Sequence, residues 1–409
     1  MLNLIWLGFF IAGFLSCIYQ ALVRDNSAIF AHVIQATFDM AALSVEIALG
    51  LIGVLCLWLG FFTIAERAGF VDLLAKIFRP LFRHLMPEVP SNHPAIGSIT
   101  MNMAANMLGL DNAATPLGLK AMQDLQELNP QKTIASNAQI LFLVLNTSSV
   151  TLLPVTIFLF RAQQGSVDPA AVFIPILLAT SASTLAGLLM VAYIQGLSLA
   201  NKTVLIYLTG FGFLILLLLG FLLNGAPDGL TARSSLLGNL LLLLIIISFL
   251  VLGYVRKINV YDAFIDGAKQ GFDVAIKIIP YLVAMLVAIG VLRASLVLDH
   301  VLSIIAQVLT VFGINTDFVA ALPTALMRPF SGSGARAMLL ETMSTYGVDS
   351  FAANLAATIQ GSTETTFYVL AVYFGSVGIQ RVRHAIGCGL FADLAGITAA
   401  IAIGYWFFA

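Results

Sequence analysis

The sequence predicts an all-α polytopic membrane protein with two inverted structural repeats, re-entrant hairpins and broken transmembrane helices. Three observations predict it. First, 60% of the 409 residues are hydrophobic and 10% are charged, with a mean hydropathy of +1.00, whereas a soluble domain carries roughly 25% charged residues. Second, several apolar runs exceed the ~20 residues that a helix needs to cross the hydrocarbon. Third, the order of elements restarts near Ser235, and one run in each half is cut by a polar string.

Composition also closes off function classes. The net charge is −1 and no basic stripe with interleaved aromatics occurs, so nucleic acid is not an expected partner. Cys17, Cys56 and Cys388 lie inside apolar runs without CxxC or Cys/His spacing and read as small buried hydrophobes. His32, His84, His93, His300 and His384 are scattered, so no metal site is expected. No HExxH, GxSxG or paired-carboxylate pattern appears, so neither an enzyme nor a cofactor is expected. The run Leu2–Val23 is too long for a signal-peptide core, lacks a basic leader and has no small-residue cleavage site.

Leu2–Val23 is the first expected crossing. Residues 28–46 carry His32, Gln35 and Asp39 at helical spacing, which predicts an interfacial helix running into a second crossing over 47–65. Residues 66–84 set Arg67, Lys76, Arg79 and Arg83 against Leu73, Leu74, Ile77, Phe78 and Leu81. That is an amphipathic surface helix, stopped by Pro80, Pro87 and Pro90. Residues 94–120 are apolar but cut by Asn102, Asn106, Gly109, Asp111, Asn112, Thr115, Pro116 and Gly118, the pattern of a re-entrant hairpin. Residues 137–160 are a full-length run with a polar break, Asn146-Thr147-Ser148-Ser149-Val150-Thr151, before Pro154. Spans over 171–194 and 204–223 precede a short polar loop at 224–229.

From Ser235 the order begins again: a span to Val255, an interfacial helix over 259–270, a span over 274–292 and a weakly amphipathic stretch over 298–312. A hairpin over 318–343 holds Arg328-Pro329-Phe330-Ser331-Gly332-Ser333-Gly334-Ala335-Arg336. A span over 351–374 is broken by Gln360-Gly361-Ser362-Thr363-Glu364-Thr365-Thr366, and a span over 384–406 closes the chain. Local matches support the repeat: Phe38-Asp39-Met40-Ala41 with Phe272-Asp273-Val274-Ala275, and Asn146–Thr151 with Gly361–Thr366. Arg67-Ala68 before Asp72 likewise matches Arg293-Ala294 before Asp299, and Leu117–Met122 matches Met338–Met343. The expected organisation is a first repeat over 1–200, a linker helix and loop over 201–232, and a second repeat over 233–409.

If the hairpins do not cross, each half contributes four crossings, and the linker helix inverts the second half. With the N-terminus inside, Arg67, Lys76, Arg79, Arg83, Lys120, Lys132, Lys202, Arg256, Lys257, Lys269, Arg381 and Arg383 fall inside. Arg24, Arg161, Arg233 and Arg293 fall outside, while Lys277, Arg328 and Arg336 are at membrane depth. This is a positive-inside bias. Inverted repeats with broken helices near the midplane are transporter architecture.

The candidate solute-binding residues of the first half are Asn102, Asn106, Asn112, Thr115, Asn146, Thr147 and Ser148: neutral amides and hydroxyls that donate and accept. Those of the second half are Arg328, Ser331, Ser333 and Arg336, then Gln360, Ser362, Thr363, Glu364 and Thr365. A carboxylate at bilayer depth costs at least ~3 kcal/mol, so Glu364 must face water, a partner or a solute. The arginines suit a carboxylate or phosphate, or one of them neutralises Glu364. Glu364, Asp393 and Asp111 are the candidates for ion coupling. The Ser331–Gly334 glycines lack GxxxxGK[ST], which argues against a nucleotide loop.

Three strings of the first half, WLGFFTIAERAGF, NHPAIGSITMNMAANMLGLDNAATPLGLKAM and LNTSSVTLLP, resemble the spore maturation protein A family. The second half resembles the spore maturation protein B family through GAKQGFDVAIKIIPYLVAMLVA, ALMRPFSGSGARAM and STYGVDSFAANLAATIQGSTETTFYVLAVYFGS. The resemblance spans nearly the whole chain apart from the linker helix and implies a fusion of the two. Both families fall in the nucleoside recognition, or gate, domain group, which is similar to parts of the concentrative nucleoside transporters and of the ferrous-iron transporter membrane domain. Gln360–Glu364 resembles the Gln-Thr-Glu signature of the nucleoside transporters with Gly-Ser inserted, so nucleoside is not carried over as the substrate.

The expected function is a proton- or sodium-coupled secondary transporter of a small polar solute, whether anionic, zwitterionic or nucleoside-like, working by alternating access. Its expected place is the bacterial inner membrane, multi-pass, with a cytoplasmic N-terminus. Its expected partners are the lipid bilayer, the solute, a coupling H+ or Na+, and further copies of the chain in a homo-oligomer. The alternatives are a non-transporting scaffold or receptor in envelope or spore maturation, and a passive channel.

Overall fold

In the computed structural model every element among the described residues is a helix, apart from one isolated bridge between Ile134 and Arg381. The backbone is described for residues 2–109, 111–224 and 229–409, and the side chains of residues 2, 3 and 111–113 also lie outside the described set. Most of the loop expected at 224–229 therefore falls outside it, as do the side chains of Asp111 and Asn112. Among the described residues seven helical stretches are long and apolar enough to cross a bilayer. They are α1 (Leu2–Val23), α2 (Ile29–Arg67), the 3-10 turn Pro169–Val172 with α8 (Phe173–Gln195), α9 (Lys202–Leu223), α10 (Leu230–Val255), α11 (Val260–Ala294) and α17 (Ala385–Phe408). The chain is a multi-pass membrane protein.

Between these lie shorter elements: α3 (Phe70–Leu85), α4 (Pro94–Met107), α5 (Asp111–Leu128), α6 (Asn137–Thr147) and α7 (Val155–Gln163). Their counterparts in the second half are α12 (Val297–Val311), α13 (Leu322–Met327), α14 (Gly332–Tyr346), α15 (Phe351–Ser362) and α16 (Thr366–Ser376). The element order recurs, with α9 standing between the two series.

Three expectations about the helices change. The interfacial helix and second crossing expected over 28–65 form one unbroken helix, α2, of 39 residues, and 259–292 likewise forms α11, of 35 residues. No proline interrupts α2, so nothing stops the ladder where polar side chains replace apolar ones. At 1.5 Å per residue α2 is roughly 58 Å long, about twice the hydrocarbon thickness. Pro80 does not stop α3 either; the helix continues to Leu85 and buries Val71, Ala75, Phe82 and Leu85.

α2 and α11 form the most extensive helix pair and run antiparallel, with Gly290 against Met40 at one end and Gly271 against Cys56 further along. Glycine permits this approach. A Cβ on Gly267 would collide with the Leu59 carbonyl, and one on Gly271 would stand 2.6 Å from the Cys56 backbone. Small residues spaced by four let two membrane helices close in this way. Around the pair, α1 packs on α11 as α10 packs on α2, and α6 packs on α17 as α15 packs on α8.

Loop contacts sort the helix ends into two groups. At one end the Ala135 N–H donates to the Arg381 carbonyl (3.0 Å), Gln195 meets His384 (3.0 Å) and Asn137 donates to Glu88 (2.7 Å). At the other, Arg161 pairs with Asp349 (3.0 Å), and the Tyr405 hydroxyl meets Asn315 (3.0 Å). The α6–α7 segment starts at the first end and finishes at the second, and α15–α16 does the reverse. The two broken helices therefore lie antiparallel.

Candidate functional site

The helix breaks position the site. After Thr147 the chain leaves the helix until Val155, where Pro154 prevents the ladder from resuming earlier. In the second half α15 runs through Gln360, Gly361 and Ser362, so only Thr363, Glu364 and Thr365 are non-helical, with Thr363 extended at φ −146° and ψ 174°. The Glu364 N–H donates to the Thr147 carbonyl (2.7 Å), so the two breaks are joined backbone to backbone.

Each break is also tied to a hairpin of its own half. The Leu152 N–H donates to the Met107 carbonyl (2.9 Å) at the turn between α4 and α5, and the Phe367 N–H donates to the Pro329 carbonyl (3.0 Å) at the turn between α13 and α14. Gly109 at the first turn has φ +70°, and a Cβ there would stand 2.8 Å from the Leu153 carbonyl. A side chain would thus be strained and would also push the hairpin off the break.

Hairpins and breaks together enclose a cavity of about 570 Å³. The first half lines it with Asn106, Thr115 and Asn146, and also with Ser149 and Thr151. The second half brings Arg328, Ser331, Ser333 and Arg336, then Gln360, Glu364 and Thr365. Asn102, Thr147, Ser148, Ser362, Thr363 and Asp393 stand behind this wall. Thr147 and Ser148 turn back onto the Val144 carbonyl (3.0 and 2.8 Å), and Ser362 onto that of Ile359 (2.8 Å). Asp393 accepts from Thr366 (2.7 Å).

The first-half wall is an amide network. Asn106 donates to Asn146 (2.6 Å), Asn102 donates to the Ala114 carbonyl (2.8 Å) and to the Tyr373 hydroxyl (3.3 Å), and Tyr373 donates to Asn146 (3.4 Å). The second-half wall is charged. Arg328, 5% exposed, donates to the Thr363 carbonyl and lies 3.3 Å from Glu364, whose side chain is 48% exposed toward the cavity. One arginine therefore neutralises Glu364. Arg336 donates to the Gly332 carbonyl (3.2 Å), and among the described residues it forms no ion pair. Gln360 Oε1, Ser149 Oγ and Arg328 Nε are buried without a hydrogen-bond partner within the protein.

Tyr281, Tyr368 and Tyr373 also line the cavity, and sequence reasoning missed them, because an aromatic inside an apolar span reads as core. Ser149 and Thr151 were visible in the polar string around the first break. Arg161, expected as an outer-surface charge, is 1% exposed instead. It reaches Asn354, Ser166 and Asp349 and the carbonyls of Val348, Asp168 and Pro169, so its donors are met inside the protein.

Two stretches, residues 48–164 and 275–380, match the family described as Gate: Nucleoside recognition. The chain belongs to this family. Each matched stretch runs from the second part of a long helix through the amphipathic helix and hairpin to the end of the broken helix, so both cavity walls are Gate segments. Over 160 residues the chain is 45% identical to Spore maturation protein B of Bacillus subtilis (strain 168), covering 39% of this chain and 88% of that protein. Over 193 residues it is 37% identical to Spore maturation protein A of the same bacterium, covering 47% and 95%. These similarities are consistent with a fusion of the two. No solved structure matches it.

Proposed function

We propose that this protein is a secondary transporter of the bacterial inner membrane that moves a small anionic polar solute through the cavity between its two Gate segments. The observation that carries the reading is that cavity: it is lined from both halves, and Arg336 faces it with no acidic partner among the described residues. A guanidinium held there suits a carboxylate or phosphate. Amides, hydroxyls and tyrosine rings offer contacts to the rest of a small solute.

The antiparallel broken helices, joined at their breaks, support two inverted repeats over 1–200 and 233–409 with 201–232 as linker. The hairpins α4–α5 and α13–α14, with turns against the breaks, are the proposed re-entrant elements. Rocking one repeat against the other would open the cavity to each side alternately. The grouping of loops 129–136 and 377–384 at one end agrees with a cytoplasmic N-terminus and the basic inner surface. Proton or sodium movement drives the cycle.

The test is a thermal-shift screen of detergent-solubilised protein with dicarboxylates, phosphorylated metabolites, amino acids and nucleosides, followed by uptake into liposomes. A solute at ~100 times its Kd adds about 2.7 kcal/mol to the folded state. An anion that stabilises wild type but not Arg336→Gln, and enters liposomes under an ion gradient, is the expected result. Stabilisation by nucleosides alone would overturn the anionic class. Absence of flux for every stabilising solute would favour a receptor.

A further inference from the structure

We propose that Asp393 anchors a dehydrated sodium site where α17 meets the two helix breaks, an inference that builds on the carrier reading by naming its driving ion. Asp393 lies midway along α17 and is 2% exposed. One carboxylate oxygen accepts from Thr366 (2.7 Å), whereas Oδ1 has no hydrogen-bond partner. Among the described residues no basic group pairs with it within 4.0 Å. Arg328 is engaged by Glu364 and by the Thr363 carbonyl. Thr363, 3% exposed, sets its Oγ1, likewise without a well-formed hydrogen bond, against this carboxylate in the same dry region.

The local sequence brings them together. Gly389 and Gly396 flank Asp393 on one face of α17. A Cβ at Gly389 would come within 2.8 Å of the Thr366 methyl, and one at Gly396 within 2.6 Å of the Thr363 methyl. The two glycines are what let the second break press against the carboxylate. Helices α6 and α15 end near this point, at Thr147 and Ser362.

A buried carboxylate whose basic neighbour Arg328 stands beyond ion-pairing distance is costly while charged, and a proton or a cation must meet it. A bound cation of charge +1 removes that cost and meets both oxygens. One carboxylate among hydroxyls and carbonyls is a hard, low-charge donor set; a divalent ion draws on more carboxylates. Among the described residues no three His, Cys, Asp or Glu side chains converge on any point. The site also touches the solute wall, because Thr363 holds Arg328 through its carbonyl and Arg328 holds Glu364. Loading Thr363 therefore biases the charge that faces the solute.

The experiment is equilibrium binding of radiolabelled sodium to the purified full-length protein at constant ionic strength set with choline, without any transport step. Wild type is expected to bind saturably, Asp393→Asn to lose binding, and Thr363→Val to weaken it by about 10-fold or more, with Thr363→Ser close to wild type. Exposed Glu127→Gln serves as the unaffected control. Unsaturable binding in wild type, or equal binding in Asp393→Asn, would overturn the site. If Asp393→Asn does not fold, the Thr363→Val and Thr363→Ser pair decides. Stabilisation that follows pH and ignores sodium would overturn sodium in favour of the proton. Sodium binding without flux would overturn the carrier and leave the site standing, and flux without sodium binding would do the reverse.

Discussion

The two helix breaks occupy corresponding places in the two halves and solve the same problem differently. The first runs from Thr147 to Val155 and holds no charge; the second leaves only Thr363, Glu364 and Thr365 outside the helix and holds a carboxylate. The neutral break is served by neutral partners: Asn146, at its edge in α6, bonds Asn106 of the neighbouring hairpin, Tyr373 of the other half and the Phe142 carbonyl. The charged break needs a cation, and its neighbouring hairpin supplies Arg328. The first half thus shapes the cavity and the second half sets its charge.

The largest expected effect tests that division at Glu364. Replacing it by glutamine leaves the buried Arg328 side chain without its ion-pair partner, which should cost about 3–5 kcal/mol in chemical denaturation. Arg328→Gln leaves the half-exposed Glu364 to cavity water and should cost less, about 1–3 kcal/mol, mainly the lost bond to the Thr363 carbonyl. The double variant should recover part of the Glu364→Gln loss. If Arg328→Gln proves the more destabilising, the second break is not organised around a buried cation.

A smaller effect is expected at the first break. Asn146→Ala removes an acceptor from Asn106 and Tyr373 and a donor to Phe142, at about 1–2 kcal/mol, because Asn106 lines the cavity and water can replace its partner. Being neutral, the change should leave the salt dependence of stability untouched. A salt-dependent loss would mean that the two walls are not electrically separate.

Much of this frame was legible in the sequence because hydropathy and polar interruptions are local signals. α1, α9, α10 and α17 lie where apolar runs predict, and the breaks fall within the strings starting at Asn146 and Gln360. The continuity of α2 was not legible: His32, Gln35 and Asp39 mimic an interfacial helix, and only the backbone reveals an uninterrupted ladder. Nor was the choice of partner for Glu364. Arg328 and Arg336 are equivalent as residue types, and the turn after α13 decides which one reaches the carboxylate. Arg161 read as a loop charge because its partners, Asn354 and Asp349, belong to the other half of the chain.

The smallest expected effect lies where the breaks' own helices are tied together at their far ends. Asp349, in the loop before α15, accepts from Ser166 (2.6 Å) and from the Val167 N–H (3.0 Å) and pairs with Arg161. Burial alone would raise its carboxyl, but those hydrogen bonds and the Arg161 charge outweigh burial and hold it below the ordinary 3.8. A folded-state value below the unfolded one stabilises the protein at all pH above the ordinary value. That contribution is lost as pH falls through the depressed value. The side chain is 41% exposed, so screening limits its worth to about 1 kcal/mol or less. Asp349→Asn should therefore melt slightly below wild type at neutral pH, and the gap should close on acidification through the carboxylate range. Parallel melting curves down to the most acid pH would show that Arg161 is held by Asn354, Ser166 and the loop carbonyls, and that the outer tie between the two broken helices, like the first break, works without charge.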